Sequence, residues 1–236
     1  MLGITNFYTF LKNPRYNALE LKETNVLKTA FKVFLITYVV FTLLNGLIHL
    51  FLELFFTLPE DRLEEFFKSM KIGSWGIFVL IAFMAPVIEE LIFRLPLVFK
   101  IKYFSILFAI MIGVIIHYFI PYLPVIIVSI PVYFISSRYV PKYEKKIFDI
   151  WVRYFRFVVW FSALAFGLVH VGNFQLVNDS QYLIVPLLVI PQLGMGFVLS
   201  YVRLTYRQGF LIGLLVHIFI NFVPATIYLF QTQIHL

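Results

Sequence analysis

Residues 77–100 read IFVLIAFMAPVIEELIFRLPLVFK, long and apolar enough to cross a bilayer as one helix, yet Glu89, Glu90 and Arg94 stand in the middle of the run. A charged group at that depth costs about 3 kcal/mol if it faces lipid, so intramembrane carboxylates and guanidinium groups turn inward, pair with one another and mark functional sites. Such a helix cannot stand alone. It needs other apolar helices around it to supply partners and exclude lipid.

The rest of the chain supplies them. With 61% hydrophobic residues, 13% charged and a mean hydropathy of +0.92, a water-soluble globule is excluded. The expected fold is all-α, a polytopic transmembrane helical bundle of about seven spans in one cell (inner or plasma) membrane, near residues 26–58, 75–99, 103–120, 125–139, up to 174, 182–202 and 210–230. The fourth is short and is expected to break at Pro131, and PYLP at 121–124 fits a tight return before it. Residues 138–156 read as a basic loop. Residues 1–25 are expected to form a short amphipathic interfacial segment with no signal-peptide pattern, and residues 26–236 a single transmembrane domain.

Charge sets the orientation. Of the 19 Lys and Arg, all but Arg62, Lys68 and Lys71 fall on one side of this span order, which places the N-terminus in the cytoplasm and the C-terminus outside. The net charge of +7 is therefore read as topology and headgroup contact, with no nucleic acid as partner. No Cys is present, which excludes disulfides, thiolate metal sites and a Cys nucleophile.

Within EExxxR, residues four apart share a helix face, so Glu90 and Arg94 can pair while Glu89 points about 100° away. A carboxylate whose neighbour is already matched to a guanidinium is free to serve as a general base. The fifth span carries FGLVH, from Phe166 to His170, and the seventh carries HIFIN, from His217 to Asn221. Helical rise from the cytoplasmic ends places Glu89 about 15 Å deep, His217 about 10 Å and His170 about 20 Å, depths that tilt can bring together. The set suits hydrolysis: a Glu to deprotonate water, two imidazoles to hold that water or a metal, an Asn amide to donate to an oxyanion. Glu89, His170 and His217 are Zn²⁺ ligands by type, without a local HExxH spacing. Asn45, His49 and Glu53 form a further polar stripe on the first span, read as bundle seam or surface.

EExxxR, FxxxH and HxxxN, in that order on successive hydrophobic helices, resemble the CPBP family of intramembrane proteases, which includes the type II CAAX prenyl endopeptidases and bacteriocin-processing or immunity-associated Abi-type proteins. The resemblance covers about residues 85–221. The stretch GMGFVLSYVRLTYRQGFLIGLLVH also resembles the segment leading to the family's last motif, with Gly194, Gly196 and Gly209 where close helix packing is expected.

The resemblance implies an endopeptidase with its core near residues 75–230, a site opening toward the cytoplasm, and a peptide or protein substrate that is membrane-associated or cut near its C-terminus. It assigns water activation to Glu89, water or metal binding to His170 and His217, and oxyanion stabilisation to Asn221, with Glu90, Arg94 and Phe166 in support. Zinc and a metal-free glutamate mechanism are both compatible with it. A proton-coupled transporter and a non-catalytic scaffold or immunity protein are the competing readings; the chain shows no inverted repeat for the first, and a scaffold has no need of Glu89, His170, His217 and Asn221 in hydrocarbon.

Overall fold

The computed structural model of the protein describes residues 4–16, 21–63, 67, 69, 72–120 and 124–234. Helix α1 (Ile4–Lys12) packs Phe7 and Phe10 edge-on against Tyr201. Helix α2 (Val26–Glu53) starts where the Asn25 side chain accepts from the Lys28 amide at 2.9 Å. It stops before the expected residue 58, its last turn tightening where the Phe55 and Phe56 amides share the Leu52 carbonyl. Along α2, Asn45 and His49 are half-buried and Glu53 is exposed, while Leu43, Leu47 and Leu50 present an apolar outer face.

Helix α3 (Ser74–Leu97) carries the charged residues. Helices α4 (Ile101–Phe119) and α5 (Val125–Tyr139) form an antiparallel hairpin, with the Ser136 hydroxyl donating to the Ser105 carbonyl at 3.2 Å. Residues 121–123 of the expected PYLP return, and Glu64, Glu65, Lys68 and Lys71, lie outside the described residues. Two expectations are corrected here. Pro131 sits inside α5 without ending it, the tolerance that neighbouring helices give a membrane proline. The basic loop is instead a 3-10 turn (Val140–Tyr143) and an amphipathic helix α6 (Glu144–Arg153), which buries Trp151 with its indole N–H donating to the Pro96 carbonyl at 2.8 Å.

Helix α7 (Phe155–Val169) runs on as a 3-10 turn (His170–Asn173). Helices α8 (Asp179–Leu188) and α9 (Ile190–Thr205) make one long span with an offset at Val189, and α10 (Gly209–Ile234) closes the bundle with Pro224 inside it. The core groups Ala30 and Val33 of α2, Phe166 of α7, Met195, Leu199 and Val202 of α9, and Ile212 and Val216 of α10. Small residues bring these helices close. A methyl on Gly196 would lie 2.5 Å from the Ala163 carbonyl oxygen of α7, and one on Gly194 would run into the Phe41 ring of α2.

Among the described residues, five stretches are long and apolar enough to cross a bilayer: α2, α3, α7 with its 3-10 turn, α8 with α9, and α10. The α4–α5 hairpin leaves and returns at the same end of the bundle. Loops pair at both ends of the bundle. At one end Glu60–Asp61 pairs antiparallel with Phe174–Gln175. At the other, the Lys22 amide donates to the Thr205 carbonyl at 2.9 Å, the Arg207 amide donates to the Lys22 carbonyl at 3.1 Å, and Arg207 pairs with Glu23.

Candidate active site

The shape of α3 follows from Pro86. Its ring cannot approach the carbonyl four residues back, and the helix widens into a π turn (Leu80–Met84) immediately upstream, with the Ala85 amide bonding to the Leu80 carbonyl. The Ile81 carbonyl would then look to residue 86 for its donor, and proline has none. Asn221 of α10 supplies it, its amide Nδ2 donating to the Ile81 carbonyl at 3.2 Å. Below this point α3 is α-helical over Ala85–Arg94, with Glu89 and Glu90 on adjacent faces.

His217, one turn from Asn221 on α10, lies between the two carboxylates. Its Nδ1 is 3.2 Å from Glu90 Oε1 and its Nε2 is 3.6 Å from Glu89 Oε2. Glu90 Oε1 is also 3.7 Å from Arg94 Nε, the i, i+4 pair expected from the spacing. With Nδ1–H donated to Glu90 Oε1, the lone pair of the imidazole is on Nε2, facing Glu89. Burial separates the two acids: the Glu90 side chain is 1% exposed and Arg94 0%, whereas Glu89 is 25% exposed. Glu89 Oε2 and Glu90 Oε2 have no hydrogen-bond partner among the described residues, so acceptor capacity remains beside the imidazole. Gly213, one turn before His217, makes room for Glu90, since a methyl there would sit 3.4 Å from Glu90 Oε2.

Phe166 is the centre of the aromatic support. The Arg94 guanidinium lies 4.4 Å from its ring centroid, and the ring meets His217 edge-on at 5.5 Å and His170 at 5.1 Å. His170 stands one turn farther along, at the start of the 3-10 turn, with Nδ1 held by the Phe166 carbonyl at 2.7 Å. That turn, about 6 Å of rise, explains why Phe166 and not His170 touches His217. The expected Zn²⁺ set of Glu89, His170 and His217 is thus not gathered: Glu89 meets His217 directly, His170 is turned to a backbone carbonyl, and no three His, Asp or Glu among the described residues group to hold an ion. The residues do not fit a three-ligand metal centre as arranged.

A family model for the type II CAAX prenyl endopeptidase Rce1-like proteins matches residues 71–223, more than half of the chain and all three motifs. The chain belongs to the Rce1-like family. No curated protein and no solved structure matches it. As an Rce1-like protein with several helices long and apolar enough to cross a bilayer, it is a multi-pass membrane protein of an intramembrane protease family.

Several contacts around this Rce1-like site were not read from the sequence. The Glu90 contact with His217 was missed because spacing along α3 shows Arg94 and hides a partner on another helix. The Ile81 carbonyl could have been found from Pro86, five residues downstream. Gly213 carries the signal GxxxHxxxN on one face of α10. Ser162, donating to the Phe93 carbonyl at 2.5 Å, and Arg203, donating from Nε to the Arg94 carbonyl at 3.2 Å, fasten the C-terminal end of the charged segment and carry no motif.

Proposed function

We propose that the protein hydrolyses a peptide bond of a membrane-associated or C-terminal peptide, with Glu89 as general base. The observation that carries this reading is the paired contact of His217, with buried Glu90 on Nδ1 and the more accessible Glu89 facing Nε2. A water about 2.8 Å from both Glu89 Oε2 and His217 Nε2 would sit off the line joining them. Glu89 takes one proton as the water oxygen attacks the scissile carbonyl carbon, and the C–O π pair becomes the oxyanion. Asn221 has a second amide hydrogen beyond the one given to Ile81 and is one turn from His217, which suits it to donate to that oxyanion. When the C–N bond breaks, Glu89 returns its proton to the leaving amine and is regenerated as carboxylate.

In this reading Glu90 holds the imidazole tautomer and Arg94 faces Glu90 as its counter-charge. His170 sits deeper, behind Phe166, on the far side of that ring from the Lys22 and Tyr206 end, where it supports the ring. The site faces the end of the bundle bearing Lys22 and Tyr206, and the excess of Lys and Arg there makes that end cytoplasmic in an inner or plasma membrane. The test is cleavage of a quenched-fluorescence peptide library by purified protein in detergent, with products identified by mass and each reaction run with and without a strong chelator. Cleavage that survives the chelator supports the glutamate mechanism. Cleavage abolished by it and restored by Zn²⁺ assigns the water to a metal. No cleavage by folded protein contradicts the enzyme reading and favours a scaffold or a transporter.

A further inference from the structure

We propose that the end of the bundle where α3, α9 and α10 converge holds a site for the phosphate headgroup of an anionic phospholipid. A cavity of about 590 Å³ opens there, lined by the cations Lys100, Arg203 and Arg207, by apolar Leu91, Leu95 and Leu211, and, among the described residues, by no Asp or Glu. Arg203 is the deepest of the three, only 8% exposed. Its Nε donates to the Arg94 carbonyl, its guanidinium lies 5.6 Å from the Phe210 ring and meets the phenols of Tyr103 and Tyr16, and it feels the more distant charge of Glu90, but among the described residues no carboxylate forms an ion pair with it or with Lys100. Arg207 differs, being matched to Glu23 in an exposed pair at the mouth. A buried cation without a counter-ion is costly, and an oxyanion of matching geometry would offset that cost.

Three further features select a lipid as the source of the oxyanion. The long helix α10 begins at Gly209, and Gln208, Phe210 and Leu211 at its positive end line the cavity. Leu91 and Leu95 form a wall along α3, and Leu211 is 46% exposed, so this wall continues onto the outer surface of the bundle where an acyl chain would lie. The same end carries α6, which presents Lys145, Lys146 and Arg153 and is anchored through Trp151 on the Pro96 carbonyl, a surface that concentrates anionic lipid. Basic pockets between membrane helices take anionic headgroups for these reasons. The inference does not depend on hydrolysis by Glu89.

The experiment is native mass spectrometry of the full-length protein in mild detergent after incubation with dioleoylphosphatidylglycerol or dioleoylphosphatidylcholine. Wild type should retain one phosphatidylglycerol and release phosphatidylcholine. Retention should fall about tenfold in Lys100→Glu and in Arg203→Gln, and stay unchanged in Lys145→Gln/Lys146→Gln. Arg203 also fastens α3, so exposed Lys100 carries the test if Arg203→Gln does not fold. Equal retention of the two lipids, or indifference to Lys100→Glu, overturns the proposal. So does displacement of the lipid by inorganic phosphate, which would make this a free-anion site, or by a short peptide with a free but not an amidated C-terminus, which would make it a peptide site.

Discussion

Glu90 Oε1 lies 3.2 Å from His217 Nδ1 and 3.7 Å from Arg94 Nε, so one buried carboxylate holds both the imidazole and a permanent cation. Glu90→Gln keeps an acceptor for Nδ1–H but discards the charge that Arg94 faces. Leaving a buried charge unpaired costs about 3–5 kcal/mol, so both Glu90→Gln and Arg94→Ala should lower the melting temperature clearly in one fixed detergent. Arg94→Ala also removes the contact with Phe166. The double variant Glu90→Leu/Arg94→Leu should recover much of the stability and none of the activity. Unchanged melting in the single variants would refute the pairing.

Asn221 has a structural duty separate from any part in catalysis, because it satisfies the Ile81 carbonyl left without a donor by Pro86. Asn221→Ala should therefore cost about 1–3 kcal/mol of stability. Pro86→Ala restores a backbone N–H at that place and should recover part of the loss, a non-additivity that thermal melts of the two single variants and the double variant would register. Activity should not return with it. Strict additivity would mean that the bond to Ile81 contributes nothing.

The two glycines Gly196 and Gly46 should respond in opposite directions. Gly196→Ala forces a methyl against the Ala163 carbonyl, Cα and carbonyl carbon of α7, backbone that cannot rotate away, and should destabilise the bundle by about 1–3 kcal/mol. Nothing lies within 4 Å of a methyl on Gly46 in α2, so Gly46→Ala should stabilise by about 0.5–1 kcal/mol through helix propensity alone. Melting of the two variants beside wild type checks both signs.

The helices that could be read from the sequence are those whose apolar runs approach the bilayer thickness: α2, α3, α7, α8 with α9, and α10 all fall within a few residues of expectation. The i, i+4 geometry of Glu90 and Arg94 was legible because it lies within one helix. What depends on another helix was not. The spacing in FxxxH places Phe166 and His170 on one face but does not say which of the two stands level with His217. Helix α6 was hidden by charge, since Lys142, Lys145, Lys146 and Arg153 suggest a solvated loop until Phe148 and Trp151 are seen packing on Phe99.

The most direct test of the central claim is the single-turnover rate of peptide cleavage by Glu89→Gln beside wild type, on the best substrate from the library, with melting temperature measured on the same samples. Glutamine preserves size and hydrogen bonding but cannot take a proton from water, so the account predicts a loss of about 10³-fold or more with melting essentially unchanged. A Glu89→Gln rate within tenfold of wild type would contradict the assignment of Glu89 as the base.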